Sequence, residues 1–247
     1  MNFFNKLPIA LIGTVAIIAI AQPTAVFAVS AQFSSASVVA GTKAEDFFMQ
    51  GEEKYEKGDY QGAVADYSEA LRINPNFALA YNGRGNTRSV LGDKQGALAD
   101  FNEALRIDPN DAYAYLGRGN ARSALGDKQG AVADYSEALR IDPSDAIAYY
   151  NRGNLRSELG DKQAAIADYN EALKINPNYA DAYNNRGLVR SELGDKQGAV
   201  ADFNEALRID PNDAQAYNNR GNTRRLLGEF QGAIADFDRA LRINPKL

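Results

Sequence analysis

From residue 44 onward the apolar and small residues fall at spacings of three and four, the period of an amphipathic helix. In Ala112–Asp145 Tyr115, Gly119 and Leu125 share one helix face with Arg122, and Ala131, Tyr135, Ala138 and Leu139 form a second apolar stripe. The spacing predicts two helices, Ala112–Leu125 and Gln129–Ile141. Gly126 ends the first, because glycine takes the left-handed conformation cheaply. Asp127 caps the second, and Pro143 stops it by forcing Asp142 out of helical geometry. The prolines Pro75, Pro109, Pro143, Pro177, Pro211 and Pro245 repeat this unit every 34 residues. Six units result: 44–77, 78–111, 112–145, 146–179, 180–213 and 214–247. One helix hairpin cannot bury both its faces, so the units must stack, each touching only its neighbours.

The first residues follow another pattern. A lysine at position 6 precedes the apolar run Leu7–Ala21, and small residues follow, with Val26-Phe27-Ala28 and Val29-Ser30-Ala31 as candidate cleavage triplets. That order is expected of a secretory signal peptide over residues 1–28. The alternative is an uncleaved membrane anchor over residues 7–29. Residues 29–43 are small and Ser-rich and read as a flexible linker. The expected location is therefore exported: periplasm or extracellular space, or thylakoid lumen in a photosynthetic source. Membrane association is expected only through an uncleaved N-terminal segment.

Composition narrows the chemistry. The net charge is −5, and acidic residues outnumber basic ones, against the basic stripe of a nucleic-acid binder. The chain has no Cys and no His, so it lacks a thiolate nucleophile and the commonest general base and metal ligand. Paired carboxylates recur with every repeat, whereas an active site occurs once. The expectation is a protein with no cofactor, no metal and no enzymatic activity.

The pattern aromatic–x3–Gly–x11–Ala–x3–aromatic–x2–Ala–x4–Pro, read in the third unit at Tyr115, Gly119, Ala131, Tyr135, Ala138 and Pro143, resembles the tetratricopeptide repeat family across all six units. The resemblance implies an all-α fold, a right-handed superhelical solenoid of antiparallel helix hairpins. It also implies a scaffold that holds a peptide segment or helix of another protein in a concave groove lined by the first helices. A further reading is an assembly or structural factor for an envelope or photosynthetic membrane complex, docked through the end of the array. Self-association through the C-terminal repeat belongs with that reading, because nothing after Ile234, Phe237 and Leu241 covers the last helix.

The chain departs from the family where Leu and a bulky aromatic are common. It has Arg84, Arg118, Arg152, Arg186 and Arg220 at the first position, and Arg88, Arg122, Arg156, Arg190 and Arg224 at the second. A buried Arg needs a partner, and the second helices offer Asp100, Asp134, Asp168, Asp202 and Asp236. A structural Arg–Asp ladder is expected, the alternative being a row of guanidiniums for an anionic ligand.

Near-identical repeats expose the positions that vary. On the groove side Leu79, Tyr113, Leu116, Ile147 and Tyr150 give units two to four an apolar surface, with Asn82 beside Leu79, while Asp181, Asn184, Gln215, Asn218 and Arg225 make the same side polar in units five and six. Asn86, Asn120, Asn154 and Asn222 share one position, and Asn151, Asn185 and Asn219 another. An Asn amide both donates and accepts, matching a peptide backbone. The series is similar to the asparagine ladders of some superhelical repeat proteins, including the tetratricopeptide array of protein O-linked N-acetylglucosamine transferases. The alternatives are neutral drift at solvated positions and Asn that bonds only water.

Overall fold

A computed structural model describes residues 42–246. The leader or anchor at 1–28, nearly all of the linker at 29–43, and Leu247 lie outside the described residues. Among those described, the chain forms twelve α-helices and no strand. They are α1 (Lys43–Glu56), α2 (Tyr60–Ile73), α3 (Ala78–Val90), α4 (Lys94–Ile107), α5 (Ala112–Ala124), α6 (Lys128–Ile141), α7 (Ala146–Glu158), α8 (Lys162–Ile175), α9 (Ala180–Glu192), α10 (Lys196–Ile209), α11 (Ala214–Leu227) and α12 (Phe230–Ile243). Odd-numbered helices are the first, and even-numbered the second, of six hairpins.

The local signals act where the sequence puts them. Gly126 sits at φ +90°, a backbone that L side chains rarely adopt, and it reverses the chain after α5. Asp127 then accepts a hydrogen bond from the Gly130 N–H at 2.9 Å and caps α6. Asp142 is extended (φ −121°) before Pro143. Asp59, Asp93, Asp161 and Asp195 repeat the cap of Asp127, whereas Glu229 before α12 makes no such bond. Asp127→Ala is expected to cost about 1 kcal/mol, read as a lower urea midpoint for the full array. Leu125, expected on the packing face, is instead the C-cap of α5 and 36% exposed, because the helix ends one residue earlier.

Each helix packs on the next along the chain, within and between hairpins, so the fold is an all-α solenoid with no central core. The core recurs in segments. Around α6 it consists of Leu116, Ala131, Tyr135, Ala138, Leu139 and, from the next repeat, Ala148 and Leu155. Gly119 makes the hairpin close: a Cβ there would stand 2.6 Å from the ring of Tyr135, which is buried. First helices of neighbouring repeats also approach one another directly (α1 with α3, α3 with α5, α7 with α9, α9 with α11), while the second helices stand further apart. This places the first helices on the inner side of a curved array.

Candidate functional site: the inner face of the first helices

The charged residues at the base of this face hold the array together. Arg118 donates from Nε and Nη2 to the two carboxylate oxygens of Asp134, at 3.0 and 2.7 Å. Arg122 adds a third hydrogen bond to Asp134 at 2.8 Å. The remaining Nη1 of Arg118 donates to Asn102 on α4 at 3.1 Å, so one guanidinium ties three helices of two repeats. Tyr115 lies under it, ring centroid at 5.3 Å. The arrangement recurs for Arg84 with Asp100, Arg152 with Asp168, Arg186 with Asp202 and Arg220 with Asp236, each a two-bond fork at 2.6–3.0 Å. Every one of these aspartates is nearly inaccessible to solvent, and every one is matched by two arginines. In the first repeat Lys54 takes the arginine's part and reaches Asp66 at 2.6 Å. The guanidiniums lie along the packing seam, so they do not line an open groove.

The variable positions divide into two kinds. Leu79, Tyr113 and Ile147 are half-buried on the inner face. Leu116 and Tyr150, expected beside them as solvent-facing contact surface, are 5% exposed and belong to the core. Leu116 joins the core segment of Tyr135, Leu139 and, from the next repeat, Ala148; in three other repeats the last residue of the same repeat covers the position. Tyr150 stacks on Tyr179 (4.7 Å between centroids), Phe48 on Phe77 (5.1 Å), and Asn82 donates to the Asp111 carboxylate. The variation at these sites is thus answered inside the array. It also has a local consequence: where Phe77 or Tyr179 supplies the cover, α3 and α9 lose the side-chain cap that Asp111 gives α5.

The asparagines likewise bind one another across repeats. Asn151 on α7 donates to Asn120 on α5 (3.2 Å), Asn185 on α9 to Asn154 on α7 (2.9 Å), and Asn219 on α11 to Asn184 on α9 (3.1 Å). The Tyr135 and Tyr169 hydroxyls donate to the same Asn120 and Asn154 oxygens, both at 2.8 Å. Asn86 donates to the Tyr55 hydroxyl at 2.9 Å, and Asn222 to its own helix at Asn218. Asn82, Asn151, Asn184 and Asn219 are buried; Asn86, Asn120, Asn154, Asn185, Asn218 and Asn222 keep partial exposure on the inner face. Packing of first helix on first helix brings the two Asn series close enough to bond directly, so these amides serve the stack before they serve a ligand.

The inner face opens into a cleft where α1, α3 and α5 converge. Its empty volume is about 570 Å³, and its walls come from three successive repeats. Phe48, Tyr55, Tyr67, Leu79 and Tyr113 form the apolar sides; Glu52, Asn82, Asn86 and Asp111 supply polar atoms. Burial pushes the Glu52 carboxyl above the usual carboxylate range; a hydrogen bond from the Tyr67 hydroxyl (2.5 Å) offsets part of this, and the charge of Glu56 adds to the rise. Leu79, Tyr113, Asn82 and Asn86 were expected on this side from sequence. Glu52, Tyr55 and Asp111 were not, although Glu52 stands where other repeats carry Asn86, Asn120, Asn154 and Asn222.

Comparison with known proteins agrees with this architecture. Family models described as TPR repeat match residues 51–89, 119–160 and 153–194, and those described as tetratricopeptide repeat match 78–111, 180–213 and 214–247. The chain belongs to the tetratricopeptide repeat family. No curated protein matches it. Among solved structures it is similar to MamA (29% identity, 66% of this chain and 95% of that one, TM-score 0.62). It is also similar to YrrB, described as a TPR protein with an unusual peptide-binding site (26% identity, 72% and 92% covered, TM-score 0.64). PilW, a type IV pilus biogenesis factor, shares the fold (22% identity, 83% and 94% covered, TM-score 0.72).

Proposed function

We propose that this protein is a non-enzymatic scaffold that holds a peptide segment or helix of another protein along the inner face of its first helices. Membership of the tetratricopeptide family supports protein–protein interaction as the general role. The observation that carries the specific reading is the cleft at α1, α3 and α5, continued along the face by half-buried Ile147 and the partly exposed Asn154 and Asn185. The described peptide-binding site of YrrB lends support by similarity. The charged, apolar, small-residue order of residues 1–31 supports action after export.

A photo-crosslinking residue placed at Leu79 or Ile147 in the full chain, in its native compartment, is expected to capture one defined segment of a partner. A second reading, docking or self-association through the last repeat, draws on Leu241: it is 47% exposed, while its counterparts Leu71, Leu105, Leu139, Leu173 and Leu207 are 6–7% exposed beneath the next repeat. Crosslinks formed from position 241 and absent from 79 and 147 would favour this second reading and overturn the first.

A further inference from the structure

The cleft between the first three repeats differs from the rest of the inner face in its balance of charge. In the second to sixth repeats each buried aspartate is matched by two arginines, and in the first Asp66 is matched by Lys54. The cleft has Glu52 and Asp111 in its wall and no lysine or arginine. The donors nearest these acceptors are engaged within the wall: the Tyr67 hydroxyl bonds Glu52, an Asn82 N–H bonds Asp111, and an Asn86 N–H bonds Tyr55. One acceptor is left over. The Oδ1 of Asn82, a residue 3% exposed, has no hydrogen-bond partner although it lines the cleft. A buried acceptor without a donor is costly, and such groups normally find a partner in the working state.

Gly83 shapes the space. The same position carries Asn151, Asn185 and Asn219 in the last three repeats, where the side chain crosses to the neighbouring repeat. With only a hydrogen at position 83, the Tyr67 ring packs directly against the α3 backbone, where a Cβ would stand 2.8 Å from it, and no side chain from this position enters the cleft. The lining combines four aromatic rings and Leu79 with the acceptors of Glu52, Asn82 and Asp111. Aromatic faces attract a cation electrostatically, and they also cover the aliphatic stem that carries it.

Resting on the reading of this face as a partner-binding groove, we propose that the cleft is a cation subsite that takes the side chain of an arginine or lysine from the bound protein segment. Its stem lies between Tyr55, Leu79 and Tyr113, and its charged head donates to Glu52, Asp111 and the Asn82 oxygen. A neutral apolar side chain would fill the space, leave the Asn82 oxygen unmet and bring no counter-charge to the two carboxylates. An anionic one would face two carboxylates.

The test uses the full chain and short fluorescein-labelled peptides that share one Ala-Ser-Gly background and differ only at the central residue: arginine, lysine, citrulline or norleucine. Fluorescence anisotropy is expected to show the arginine and lysine peptides binding at least about tenfold more tightly than the other two. Their addition should shift the side-chain amide resonances of Asn82 and Asn86. Glu52→Gln and Asp111→Asn keep the partner of Tyr67 and the cap of α5, so circular dichroism should show intact helices. Each should remove most of the preference for charge. The arginine and lysine arms together tell whether a planar fork or a compact ammonium fits better. Equal binding of citrulline and arginine, a preference unchanged in both variants, amide shifts confined to other repeats, or no binding by any peptide would each overturn the cation subsite. The groove reading is judged separately: it stands if crosslinks from Leu79 and Ile147 still recover a partner segment, and falls if they do not.

Discussion

Asp134→Ala is expected to destabilise the array by about 3 kcal/mol, among the largest effects of any single substitution in it. The carboxylate lies between α5 and α6, accepts two bonds from Arg118 and one from Arg122, and keeps 3% side-chain exposure. Without it Arg118 loses its counter-charge and Arg122 keeps only the longer pair with Asp127 at 3.7 Å. Breaking a buried pair from one side typically costs about 3–5 kcal/mol, because the other charge remains. Arg118 and Arg122 keep 18% and 28% exposure, so water takes over part of their solvation. That puts the expected loss at the lower end. The companion variant Arg118→Leu/Arg122→Leu/Asp134→Leu removes the charges together and should recover most of the loss, since an apolar set of similar volume often replaces a buried ion cluster without penalty. Urea unfolding followed by circular dichroism measures both. The lesion sits in the third repeat, so the transition should also broaden as the flanking repeats lose their coupling. A loss of less than about 1 kcal/mol for Asp134→Ala would show that the fork is no stronger than an exposed surface pair.

How much of this was legible in the sequence depends on how many elements a feature needs. The hairpins were readable because Gly126, Asp127 and Pro143 act on the backbone within a few residues. Arg118 and Asp134 could be paired on paper because a hairpin with a short turn brings residues sixteen apart together. Leu116 and Tyr150 were misplaced for a different reason. Helical phase gives the direction of a side chain from the axis, and both do leave α5 and α7 on the inner side. It does not say what lies above them. For Leu116 the cover is the core around α6; for Tyr150 it comes from the end of the same repeat, and the signal was present: Phe48 with Phe77, Asn82 with Asp111 and Tyr150 with Tyr179 share one separation, 29 residues in the hydrogen-bonded pair, and change character together. The cleft needs three helices from three repeats, and no period along the chain announces it. Glu52 was visible as the one charged residue at a position that is Asn in four of the other five repeats and Leu188 in the fifth, but an atypical first repeat also has that appearance when it only ends a stack.

The aromatic residue of the second helix offers the other large effect and links stability to the inner face. Tyr169→Ala is expected to cost about 3–5 kcal/mol, the range for truncating a large buried aromatic. Its ring is 1% exposed, packs among Ala165, Leu173, Ala182 and Val189 from two repeats, and stands 6.2 Å from the Tyr150 ring. Solenoid neighbours cannot collapse freely into the space, because Gly153 already brings α7 as close as the backbone allows. Tyr169→Phe separates shape from polarity. It keeps the ring and removes the hydroxyl that donates to Asn154, with an expected cost of about 1 kcal/mol. Asn154 then keeps only the bond from Asn185, and its oxygen regains an open acceptor site on the inner face. Side-chain amide resonances of Asn185 should move in the Phe variant, while the unfolding midpoint falls far less than in the Ala variant. If both variants lowered stability equally, the hydroxyl would be the main contributor and the ring a filler. If Tyr169→Phe left the Asn185 amide unmoved, the Asn–Asn contacts would be independent of the core, and the inner face could change its ligand without altering the stack that carries it.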